Sequence, residues 1–325
     1  MNKKRTKTNS CAYFSKVLFL SISISLFSQP VKAVRIVNNW NEIFSGIDYA
    51  TGFTDDPVPQ NVNSLRIDLL NPDIRFFSTP DNGGASEETF AQTTSDFLEQ
   101  YDLQVAINAN FFAPCCNAAS EPKDLIGLAI SDGNIVSPSD GQESGNIGQV
   151  PDSLLLTQNN QAQIASTNPG DDFSDFFTVV SAGPRLLVDG TIVVPEIPPD
   201  DFSDLNPRTA VGISEDEQYL ILMTIDGRQP GVSEGATLYQ TGEWLIDFGS
   251  YQGLNLDGGG STTMVREDAQ GNAELLNIPS STGGAERFNG NNFGVFAAAA
   301  AKTPEPTSSF FLISTGLFLL VKRSR

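Results

Sequence analysis

The chain has 325 residues, enough for one large domain or two small ones with ample material for a core. It carries 19 basic and 39 acidic side chains and no histidine, for a formal net charge of −20. That acidity argues against nucleic-acid binding through phosphate contacts, and the missing histidine excludes Ser-His-Asp and Cys-His nucleophiles together with histidine metal sites.

The two ends read as addresses. Lys3, Lys4, Arg5 and Lys7 precede the apolar run VLFLSISISLF, and Val31 and Ala33 flank Lys32. The run is short for a membrane span, so the order predicts a signal peptide over 1–33, cut by signal peptidase after Ala33. At the other end Pro304, Glu305 and Pro306 lead into a moderate apolar run closed by Lys322, Arg323 and Arg325. Taken alone this is a tail anchor with a basic stop. The order of its parts resembles the bacterial PEP-CTERM sorting tail. That resemblance implies a tail over 304–325, recognised and removed by an exosortase-type enzyme. Membrane contact would then be transient and the mature protein would sit at the cell surface or outside the cell.

Between the ends, 34–303 reads as one domain, holding ten basic and 38 acidic side chains for a net of −28. Cys11 leaves with the leader, so Cys115 and Cys116 remain side by side. Export favours oxidation, and the pair has three options: a vicinal disulfide, bonds to other chains, or free thiols. Two cysteines without histidine are a poor metal set, and no metal site is expected from them.

In chain order, SLRIDLL (64–70) alternates as a strand and DIRFFS (73–78) extends the sheet. SEETFAQTTSDFLEQY (86–101) is predicted to be a helix capped by Ser86, with Phe90, Phe97, Leu98 and Tyr101 on one face. QVAINANFF is a short strand ending in amides and aromatics. Hairpins follow at Asp132-Gly133, Asn159-Asn160 and Asp189-Gly190, and RTAVGISEDEQYLILMTIDGR forms two more strands. EGATLYQTGEWLIDFG (234–249) is a second helix presenting Leu238, Leu245 and Phe248, and it runs into the strand GLNLDGGG. The expected architecture is α+β: a strand-rich mixed sheet, two main helices and a polar cleft.

Four segments break local rules as functional sites do: NANFF with APCC, NPRTAVG, IDGRQPGVSEG and NLDGGGST. Asp257 ends an apolar strand beside Gly258, Gly259 and Gly260, which make room for something to approach the backbone. It is a candidate nucleophile, acid, base or hydroxyl ligand; the bland alternative is an Asp-Gly turn, and the acidity of the chain also admits a calcium ligand. Asp226 is the second candidate carboxylate and Glu234 a distant third. Asn108 and Asn110, two apart, are placed to offer amides to one cleft. Phe111 or Phe112 offers a ring for a sugar face, with core packing the competing role. Ser261 and Thr262 are placed to donate to an anion if a helix begins there, or simply to cap it.

NPRTAVGIS, TIDGRQ and LNLDGGGSTTMV, in that order with a helix between the last two, resemble the phosphodiester glycosidase family. INANFF and the Gly-Pro of SAGPRLLVDG fit upstream. The resemblance spans about 60–298. It implies hydrolysis of a sugar joined through its anomeric carbon to a phosphodiester, in an α+β fold with a polar cleft; no cofactor is expected, with calcium left open. Such a substrate carries one negative charge, and a guanidinium can hold two phosphate oxygens, so Arg208 and Arg228 become the expected phosphate ligands. Without the resemblance, a surface ion pair is the even alternative for Arg208. Catalysis is expected from Asp257 paired with Asp226, assisted by Arg208. Binding is expected from Asn108, Asn110, Arg228, Gly258, Gly259, Ser261 and Thr262. The partner is a glycan phosphodiester, set in surface or extracellular polysaccharide. A non-catalytic, carbohydrate- or calcium-binding surface protein is the competing reading.

Overall fold

The structure, a computed structural model, describes residues 34–84, 87–115, 119–139, 143–144, 148–149, 152–196 and 205–300. The predicted signal peptide, the sorting tail and Cys116 lie outside the described residues.

Among the described residues strands dominate, in sheets of nine, five, five and three strands with one two-stranded ribbon, and two α-helices accompany them. The α+β class expected from the sequence is what forms. Every pairing between the described strands is antiparallel. In the nine-stranded sheet Ile47–Thr54, Gln60–Asp68, Tyr219–Ile225, Arg208–Ile213, Gln252–Asn255 and Arg185–Val188 lie side by side in that order. One five-stranded sheet is built around Val105–Asn108 and Asn292–Phe296, the other around Phe176–Ala182 and Asp152–Thr157.

Alternation along each strand explains the layering. In Tyr219–Ile225, Leu220 and Leu222 face a central core, while Ile221, Met223 and Ile225 face the opposite way. The central core collects apolar side chains from all three large sheets, including Leu65, Ile107, Leu154, Val211, Leu254 and Phe293. The outer face of the nine-stranded sheet is covered by helix α2 (Leu238–Asp247), through Trp244, Leu245 and Phe248. Helix α1 (Thr94–Gln100) covers Ala106 and Val265 of a five-stranded sheet with Phe97 and Leu98. Strands buried on both faces lose the polar alternation of a half-exposed sheet, which is why YLILMTI is apolar at nearly every position.

Helix α2 begins where Thr237 and Gln240 form a capping box. Helix α1 is shorter than the sequence predicts. It starts after Thr93, whose hydroxyl accepts from the Asp96 amide. Thr89–Phe90 instead pairs as a strand with Pro122–Leu125, and Phe90 is exposed. Ser86 lies outside the described residues, and the pairing of Thr89–Phe90 with Pro122–Leu125 keeps the segment ahead of Thr93 out of the helix.

Candidate active site

The candidate site forms at one end of the nine-stranded sheet, where antiparallel register gathers three distant segments. Arg208 pairs with Ile225 and Ala210 with Asn255. The start of the Arg208–Ile213 strand therefore lies beside the turn after Ile225, which carries Arg228, and beside the exit of Gln252–Asn255, which carries Asp257. Leu256 continues the ladder, its amide donating to the Thr209 carbonyl at 2.8 Å. A cleft of about 240 Å³ opens here, lined by Arg208, Arg228, Asn206, Asp257, Gly258 and Gly259 on its polar side. Phe111, Pro184, Leu238 and Asn255 stand along the rest of the wall.

The three glycines after Asp257 serve three contacts. A Cβ on Gly258 would stand 2.9 Å from the Pro207 carbonyl oxygen, which also accepts the Gly259 amide at 2.8 Å. Gly259 has φ +62° and lies under the Arg228 guanidinium, 3.1 Å from where its Cβ would be. Gly260 lies under Arg287, whose Nη2 would be 2.3 Å from such a Cβ. The run thus lets two guanidinia and a neighbouring backbone close on the Asp257 turn.

Asp257 is held from both sides of its backbone: its amide donates to the Ala109 carbonyl at 2.9 Å, and the Asn108 side chain donates to its carbonyl. Burial pushes its carboxyl up to about 6, opposed by the Ser261 hydroxyl, the charge of Arg287 and the Gly258 amide. That value keeps the group ionised at neutral pH and basic enough to accept a proton. Arg208 is oriented by its Nε, which donates to the Ala236 carbonyl at 2.8 Å. Arg228 donates through Nη2 to Asn206 Oδ1 at 2.9 Å and is otherwise exposed.

Several residues expected at the site stand elsewhere. Asn108 is fully buried, and its Oδ1 accepts from Thr209 Oγ1 at 2.7 Å and the Thr263 amide at 3.1 Å. Asn110 is also buried, donating to the Ile126 and Leu128 carbonyls and accepting from the Ser181 amide and Asn291. Both amides are consumed in bracing the chain behind the cleft. The two side chains share no hydrogen-bond partner, Asn108 being tied to Asp257, Thr209 and Thr263 and Asn110 to Ile126, Leu128, Ser181 and Asn291. Phe111 lines the cleft, whereas Phe112 packs with Leu125. Gly259–Ser261 forms a single 3-10 turn with no side-chain cap. Ser261 is buried against Asp257 and Arg287, and Thr262 is buried with it. Cys115 is disulfide-bonded. Among the described residues, no three Asp, Glu or Cys side chains gather in a metal-holding group.

Asp226 stands apart from the cleft lining, 3% exposed. Its Oδ1 accepts from the Ile278 amide at 3.0 Å and from Asn277 Nδ2 at 3.3 Å, and Asn277 also donates to the Thr262 carbonyl. It braces the Asp257 turn from behind. Burial raises its carboxyl to about 6, with those two hydrogen bonds pulling the other way. A carboxyl whose folded pKa exceeds the unfolded value adds stability that is complete below about pH 4 and is lost as pH rises through about 6. Asp226→Asn keeps the acceptor and drops the charge. It is expected to stabilise the fold by about 1–3 kcal/mol at pH 7.5 and by nothing below pH 4. Urea unfolding at the two pH values measures the difference.

Arg287 escaped the sequence reading, although GGAERFNG places an arginine within a glycine-rich segment of a cation-poor chain. Asn206 and Asn255 carried no signal beyond their proximity to other motifs.

The phosphodiester glycosidase family profile matches residues 101–296. The chain is 27% identical over 222 residues to mouse N-acetylglucosamine-1-phosphodiester alpha-N-acetylglucosaminidase, covering 64% of this chain and 40% of that protein. It spans about two fifths of the length of the curated relatives it matches. In three dimensions it resembles the catalytic domain of the zebrafish enzyme of that name, with TM-score 0.55 and 21% identity over 83% of this chain and 85% of that one. A hypothetical protein from Synechocystis shares the fold at TM-score 0.54 and 18% identity, over 78% of this chain and 62% of that one. With the match covering well over half of its length, the chain belongs to the phosphodiester glycosidase family.

Proposed function

We propose that this protein is an exported glycosidase that hydrolyses the bond between a sugar's anomeric carbon and a phosphodiester, acting on surface or extracellular polysaccharide. The observation that carries the reading is one carboxylate, Asp257, sharing a small cleft with Arg208 and Arg228. Two guanidinia suit a phosphodiester anion. The wall of Phe111, Pro184 and Leu238 suits the carbon face of a sugar ring, and Asn255 brings an amide.

The leaving group explains why one carboxylate suffices. Cleavage of the anomeric C–O bond sends its electron pair to a phosphate oxygen, releasing a phosphomonoester. The second pKa of such a group is about 6, so it departs at neutral pH without a proton from the enzyme. The general acid of an ordinary glycosidase pair is therefore dispensable. Arg208 and Arg228 balance the added phosphate charge. Asp257 takes the proton of the attacking water, whose oxygen becomes the new anomeric hydroxyl. In this reading Asp226 supports the turn and does not touch substrate. The leader-like start and the PEP-CTERM-like end support export, with signal peptidase and an exosortase-type enzyme as processing partners.

The test is release of free sugar by the purified protein from a panel of glycosyl-1-phosphodiesters, beside aryl glycosides of the same sugars. Turnover confined to the phosphodiesters is the expected result. Binding of acidic glycans or calcium without cleavage of any substrate would overturn the enzymatic reading in favour of a surface-binding protein.

A further inference from the structure

We infer that Arg287 is a positioning residue for Asp257: its guanidinium, seated on the bare backbone of Gly260 and hydrogen-bonded to Ser261, holds the Asp257 carboxylate ionised and fixed at the cleft. The inference rests on the reading of Asp257 as the proton acceptor and names the device that maintains it.

The geometry is specific. At Gly260 a Cβ would stand 2.3 Å from Arg287 Nη2, 2.6 Å from Cζ and 2.9 Å from Nε, so the planar group lies flat where any other residue would project its side chain. Arg287 Nη1 donates to Ser261 Oγ at 3.3 Å, and Ser261, fully buried, hydrogen-bonds Asp257. The neighbouring Glu286 does not neutralise this charge. It turns to accept the Ser95 amide at the start of α1, 3.0 Å away. None of the ion pairs among the described residues involves Arg287. Its charge lowers the proton affinity of Asp257 and so opposes the effect of burial. Among the described residues, the other charged groups that line the cleft with Asp257 are Arg208 and Arg228. Arg208 is turned toward the Ala236 carbonyl and Arg228 toward Asn206. Behind the turn Asp226 is engaged with Asn277 and the Ile278 amide. Arg287 reaches the site from a separate loop, pinned to the segment before α1 by the Gln92–Asn289 bridge.

The experiment follows the Asp257 carboxyl itself in the full chain labelled with 13C-aspartate, its resonance assigned by loss in Asp257→Asn. Arg287→Gln is expected to raise the titration midpoint by about one unit, the lower end of the effect of a nearby opposite charge. Gly260→Ala keeps every charge and does not ask for a left-handed backbone. By displacing the guanidinium it is expected to move the midpoint in the same direction, and it carries the test if Arg287→Gln fails to fold. Arg287→Lys, which keeps the charge without the fork, is expected to move it less. The acid limb of kcat/KM should shift with the midpoint, whereas a merely structural role would lower the plateau and leave the limb in place. Midpoints equal to the parent's in both Arg287→Gln and Gly260→Ala would overturn the inference. If the parent cleaves no phosphodiester, the proposed function fails, but the titration still decides the role of Arg287.

Discussion

Asp257→Asn is expected to lower kcat/KM for glycosyl-phosphodiester hydrolysis by about 10³-fold or more, within the upper range for loss of a positioned general base. The substitution keeps an acceptor oxygen for Ser261 and the Gly258 amide, so the turn should survive. Thermal stability supplies the control, and its sign is fixed. The folded carboxyl titrates at about 6, above its unfolded value, so its ionisation opposes folding as pH rises from about 4 to 6. At pH 7.5 the Asn variant should melt no lower than the parent, and near pH 4 the two should coincide. Full activity in a well-folded Asp257→Asn would remove Asp257 from the mechanism. The parent's own pH profile makes the same point, with an acid limb near pH 6 where Asp257 gains its proton.

Arg208→Ala carries the second large effect, a fall of about 10²–10³-fold in kcat/KM, comparable to loss of one oxyanion donor. The decisive readout is substrate dependence. An uncharged aryl glycoside presents no phosphate, so the same variant should change its hydrolysis by less than about tenfold. Arg208→Lys should recover little, because an ammonium cannot both hold the Ala236 carbonyl and meet two phosphate oxygens in one plane. The charged hydrogen bond to Ala236 is worth about 1.5–3 kcal/mol of stability, which unfolding measurements separate from the catalytic loss. Equal losses on charged and uncharged substrates would assign Arg208 a structural role.

Asn108 and Arg208 differ in where the fold places two candidates that the sequence presents alike. Both stand at strand ends in unusual segments, and both are polar. Arg208 remains at the cleft because its strand begins at the open end of the sheet. Asn108 lies where Val105–Asn108 meets Asn292–Phe296 and the Asp257 turn, so every polar atom of its amide is drawn inward. A sequence shows that a buried polar group will need partners, but not whether those partners are protein or substrate. The same limit applies to Asp226, a candidate second carboxylate by sequence, whose Oδ1 is taken up by Asn277 Nδ2 and the Ile278 amide.

By itself, the sequence determined what depends on neighbours along the chain. Alternating strands, the Asp132-Gly133 and Asp189-Gly190 turns and the buried face of α2 all arise from local sterics and from side-chain period. The lack of histidine is likewise read from the sequence alone. Tertiary structure decided what depends on segments far apart. Register brought Arg208, Arg228 and Asp257 to one sheet end, and a distant loop laid Arg287 on Gly260. It also gave each of the three glycines its own occupant. Burial and through-space charge, which set the proton affinity of Asp257, exist only once those segments have met.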